Sequence, residues 1–99
     1  MKEVTVQELK KMIDDKVDFQ LIDVREEYEY EAMNIGAELI PMGEVVDSID
    51  KISRDKQVVI HCKSGARSAT ICNLLAGHFG FTNLYNLKGG ILAYKSEIV

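Results

Sequence analysis

The apolar positions change period several times along the chain, and each change marks an element. In "TVQELKKMIDD", Val6, Leu9, Met12 and Ile13 recur at the spacing of one helical face, and Thr5 and Glu8 stand as in a capping box. "FQLIDV", residues 19–24, reads as a short strand. "REEYEYEA" is polar and predicts a short helix, and "AELIPM" predicts a brief extended segment ending at Pro41. "GEVVDSIDKI" shows helical spacing at Val45, Val46, Ile49 and Ile52. "QVVIHC" is a continuous run of the kind a parallel sheet buries on both faces. A strong helix is expected from Ser68, with Ile71, Leu74, Leu75 and Phe79 on its buried side and Gly80 as its stop. "TNLYNL" predicts a further strand, and "KGGILAYKSEI" turns through Gly89 and Gly90 into a last helix. The segment Met1 to Val6 is expected to add an edge strand. Strands alternating with helices predict a three-layer α/β fold around a mainly parallel sheet of about five strands.

The chain has 99 residues and no linker, so one domain spanning residues 1–99 is expected. A net charge of −4 argues against a basic nucleic-acid surface. No apolar run approaches a membrane span, and the N-terminus lacks the apolar centre of a signal peptide, so a cytoplasmic location is the expectation. Two cysteines, Cys62 and Cys72, are too few for a disulfide framework. Each is then a nucleophile or a packing residue.

Cys62 ends the apolar run, at the carboxyl end of an expected strand. In open α/β sheets ligands bind outside those ends. Lys63, Ser64, Gly65, Ala66 and Arg67 form the turn into the next helix. N–H groups of such a turn and of the helix N-terminus favour an anion, and a thiol placed there loses its proton more easily. Gly65 permits the backbone angles of a concave turn, and Lys63 and Arg67 add positive charge. The pattern suits an anionic, cysteine-bound group better than plain packing.

"HCKSGARS" resembles the active-site loop of the rhodanese family, in the pattern C-x-x-G-x-R-S. "LIDVREEYEYE" and "NLKGGILAY" resemble two further elements of that family, in the right order, so the resemblance covers about Val4 to Ile98. It implies a rhodanese-like fold and a sulfurtransferase. Such an enzyme takes a sulfane sulfur from a small anionic donor, such as thiosulfate or a persulfide, holds it as a cysteine persulfide on Cys62, and passes it to a thiol or protein acceptor. Residues 63–67 would wrap the persulfide, and no metal or organic cofactor is implied. The segment "AMNIGAELIP" departs from the family pattern: Met33 and Asn34 replace Gly-His, and the segment is one residue shorter. Tyr94 stands where the family often has Trp.

Other residues have plainer readings. Asp23 and Arg25 are expected to support the site by tying the following loop to the Cys62 loop. His61 adjoins Cys62 in a strand, so its side chain should point to the opposite face. Cys72 and His78 read as packing and surface, and "REEYEYE" as a solvated face rather than a metal site. Three rival functions share the fold: a phosphatase or arsenate reductase-like enzyme, a non-catalytic partner-binding module, and a redox sensor built on an exposed thiolate. The first uses C-x5-R, whereas Cys62 and Arg67 are spaced C-x4-R, a loop sized for one sulfur atom. An intact Cys62 argues against the second.

Overall fold

A computed structural model describes residues 1–99. The sheet has five parallel strands: β1 (Glu3–Val4), β2 (Gln20–Asp23), β3 (Glu38–Leu39), β4 (Val58–His61) and β5 (Leu84–Leu87). Their order is β1-β5-β4-β2-β3. Three α-helices connect β1 to β2, β2 to β3 and β4 to β5, namely α1 (Val6–Asp14), α2 (Glu27–Ala32) and α3 (Ala66–Phe79), and α4 (Gly90–Glu97) follows β5. The expected capping box forms at α1, with Thr5 and Glu8 exchanging side-chain and backbone bonds.

Alternation along β4 separates two cores. Val58, Ile60 and Cys62 pack with Ile71, Cys72 and Leu75 of α3. Val59 points the other way, with Val6 and Leu9 of α1 and Tyr94 of α4. β4 is buried along its whole length, which is why its sequence shows no polar alternation.

The segment 43–52 departs from the expected helix. It forms two 3-10 pieces, Met42–Glu44 and Val46–Lys51, with Ser48 in a non-helical conformation. Val45 and Ile52 are buried while Val46 stays exposed, so the apolar spacing serves two short anchors rather than one helical face. β1 is confined to two residues at the sheet edge, paired with β5.

β2 and β4 are adjacent, and the helices that leave them depart in opposite directions, α2 toward β3 and α3 toward β5. A crevice opens at such a switch point. Cys62 follows β4 at that place.

Candidate active site

The turn after β4 is set by Gly65, whose φ of +105° lies in the region open to glycine. It brings the N–H of Gly65 to 3.1 Å from Cys62 Sγ. The N–H of Ser68, in the first turn of α3, lies 3.4 Å from the same sulfur, and so does the Ser68 hydroxyl. Three donors thus converge on one atom. Burial pushes the Cys62 thiol up, but the Ser68 hydroxyl and the N–H groups of Ser68, Gly65 and Arg67 outweigh it, and the net direction is down. Cys72, one turn further along α3, has no such donors, and burial pushes its thiol up to about 12. The two cysteines are therefore opposite in character.

The loop is held from behind by two elements. Asn86 on β5 is buried; it accepts a hydrogen bond from the Ser68 hydroxyl and donates to Gly65 O at 3.1 Å. The start of α4 supplies the other support. Ile91 N–H donates to Cys62 O at 2.9 Å and Leu92 N–H to Lys63 O at 3.1 Å, so two orphan donors of that helix are used on the loop. The approach demands glycine at position 90: a Cβ there would lie 2.4 Å from Lys63 O.

Asp23 and Arg25 form a buried pair. Arg25 Nη2 donates to Asp23 Oδ2 at 2.8 Å, and Nε reaches both carboxylate oxygens at 3.1 Å. The expected tie to the Cys62 loop is not made by this pair. Arg25 instead donates to Met33 O at 2.7 Å and Glu29 O at 3.4 Å, bracing the end of α2. His61 lies on the same sheet face as Asp23, its parallel partner in register. Its Nε2 is 3.6 Å from Asp23 Oδ2 and its Nδ1 is 3.3 Å from Cys62 O, with no bond to the sulfur. Burial pushes the imidazole below its usual range, against the pull of Asp23.

The link to the loop comes from Glu29. Its two carboxylate oxygens accept from Arg67 Nη1 and Nη2 at 2.8 and 2.9 Å, a bidentate pair. The Arg67 bonds hold the Glu29 carboxyl down at about 2. The reading of "REEYEYE" as a solvated face is thus corrected: Glu26, Glu27, Tyr28 and Glu31 face water, but Glu29 grips the loop, and the Tyr30 hydroxyl donates to Ala37 O at 2.7 Å. The positive charge expected from Arg67 is likewise already paired. Asn34, in the shortened segment, accepts from Gly36 N–H at 2.9 Å and donates to Tyr30 O at 3.1 Å, forming a turn that closes α2.

Lys63, Ser64 and Ala66 are exposed on the rim of the turn. Beside it runs a groove of about 230 Å³ between α2 and α4, walled by Ala32, Met33 and Leu92 and bearing Glu29, Lys63 and Lys95. Cys62 itself is 1% exposed. Ser68, Asn86, Glu29 and Gly90 were not among the expected site residues, although Ser68 ends the loop pattern and the other three fall within the two further stretches that resemble the family.

A family model described as Rhodanese-like domain matches residues 5–97. The chain is 36% identical over 98 residues to the putative sulfurtransferase YtwF of Bacillus subtilis (strain 168), covering 98% of this chain and 93% of that protein. It is 34% identical over 93 residues to a sulfurtransferase of Allochromatium vinosum, covering 93% of this chain and 86% of the other. The crystal structure of a rhodanese-related protein from Thermoplasma volcanium aligns with a TM-score of 0.87 and 25% identity, over 99% of this chain and 94% of that one. The five-stranded parallel sheet and the match over almost all of its length agree: the chain belongs to the rhodanese-like domain family.

Proposed function

We propose that this protein is a cytoplasmic sulfurtransferase that carries a sulfane sulfur as a persulfide on Cys62. The observation behind this reading is the convergence of Gly65 N–H, Ser68 N–H and the Ser68 hydroxyl on Cys62 Sγ. Such donors favour the thiolate, which is the nucleophile. The thiolate attacks the outer sulfur of a donor such as thiosulfate or a low-molecular-weight persulfide. A bond forms between the two sulfurs, the donor's S–S bond breaks, and its electron pair leaves on sulfite or on a thiolate. A thiophilic acceptor, a small thiol or a protein, then attacks the outer sulfur of the persulfide and restores the Cys62 thiolate. The charge on the cysteine-bound group is −1 at both ends of the cycle, so donors fixed around it serve both steps.

Intact mass after incubation with thiosulfate tests this. One sulfur atom should be added, removable by cyanide and located on Cys62. Cys62→Ser should abolish the adduct and turnover, and Cys72→Ser should keep most activity. Sulfur found on Cys72, or turnover by Cys62→Ser, would sink the assignment. Hydrolysis of an aryl phosphate without any sulfur transfer would favour the phosphatase reading instead.

A further inference from the structure

The loop has two cations, and they differ in how they are committed. Both terminal nitrogens of Arg67 are bonded to Glu29, while Lys63 is exposed and forms no ion pair. Glu29 comes from α2, so the pair spans the crevice between the helices leaving β2 and β4. Within α2, Glu29 Oε1 also accepts from the Glu26 N–H at 3.0 Å in a capping box, so that oxygen serves both the helix and Arg67, while Glu27 and Glu31 lie in water. The charges at the mouth can be followed one by one. Arg25 is balanced by Asp23 and Arg67 by Glu29. Lys63 and Lys95 on the groove remain without a carboxylate partner. An incoming donor therefore meets two exposed ammonium groups and a neutralised guanidinium. The Cys62 thiolate offsets one of these two positive charges, which leaves one to accommodate a single negative charge on the donor. A second, on a compact dianion, faces the ionised Glu29 carboxylate instead of a free guanidinium.

We infer that Glu29 sets the charge selectivity of the sulfur donor, favouring a monoanionic reacting end over a compact dianion. The inference rests on the sulfurtransferase reading above. Two probes of similar size separate the charge states: thiosulfate, a dianion, and methanethiosulfonate, in which a methyl group replaces one oxyanion. Each gives its outer sulfur to the Cys62 thiolate. The S–S bond breaks, and sulfite or methanesulfinate leaves with the electron pair. Cyanide then takes the sulfur as thiocyanate and returns the thiolate, so no outside oxidant or reductant enters.

The experiment is kcat/KM for both probes with cyanide as acceptor, in the wild type and in Glu29→Gln, Glu29→Ala and Glu29→Asp. Removing one unit of negative charge near a solvated site should raise the thiosulfate-to-methanethiosulfonate ratio about fivefold in the Gln and Ala variants. Glu29→Asp keeps the charge and should keep the wild-type ratio. A Glu29 that only straps α2 to the loop would lower both donors together and leave the ratio unchanged, which overturns the inference. If Glu29→Gln is misfolded, the Glu29→Ala ratio decides alone. Failure of both donors to load sulfur on wild-type Cys62 would instead overturn the sulfurtransferase reading, and this inference with it.

Discussion

Ser68 has one hydroxyl hydrogen and two acceptors within reach, Cys62 Sγ and Asn86 Oδ1. It serves one at a time. A sulfur anion draws the hydrogen more strongly than a neutral thiol, so the hydroxyl should turn toward Cys62 as the proton leaves. Ser68→Ala removes this and should raise the Cys62 pKa. Thiolate absorbance titrated against pH in a Cys72→Ala background would report it; an unchanged midpoint would show that the N–H groups alone set the acidity. Cys62 was legible in the sequence because the strand, the cysteine and the glycine-bearing turn are contiguous. Asn86 and Glu29 were not, for they lie 18 and 38 positions from the loop residues they hold. Polar side chains in a short charged helix or in an apolar strand look alike whether they meet water or a partner. His61 followed the simpler rule of strand alternation, which places it with Asp23 and away from the sulfur.

At the scale of elements, helices with a full apolar stripe or a clear cap followed their pattern, as α1 and α3 show. The piece around Ser48 did not, because Val45 and Ile52 pack separately and no continuous face is buried. α4 has the largest influence on the site for its length. Gly90 adopts a φ of +60° and its backbone lies against both Cys62 O and Lys63 O. Gly90→Ala combines an unfavourable conformation with a contact too short for a carbon, and rigid backbone is what must move. The cost should be about 2–4 kcal/mol in chemical denaturation, with sulfur transfer lowered on the order of 100-fold, since a shift of about 1 Å at the reacting group has that effect. A variant as stable and active as the wild type would show that α4 does not shape the loop.

For the whole molecule, the parallel five-stranded sheet was implied by alternating strands and helices, while the order β1-β5-β4-β2-β3 was not, since that depends on long-range packing. Proton linkage acts on the molecule as a unit. His61 is pushed below its usual value near 6.5, and Glu29 from 4.5 to about 2. Both are depressed in the fold, so the unfolded chain binds more protons as pH falls. Their stabilisation is complete above about 6.5 and is lost on acidification, first through His61 and then through Glu29. Cys72, raised from 9.0 to about 12, acts oppositely: its contribution is present below 9 and is lost toward 12. Urea midpoints across pH should therefore be highest between about 6.5 and 9, and His61→Gln should flatten the first acid slope. A midpoint that rises on acidification from 6.5 would contradict this. The dependence of the loop on α4 also has a temporal side. Ile91 and Leu92, which bind the carbonyls of Cys62 and Lys63, are added to the growing chain long after the cysteine. While the chain is being made, the carbonyls of Cys62 and Lys63 lack these partners, and the turn gains its backbone support only once Ile91 and Leu92 have been added.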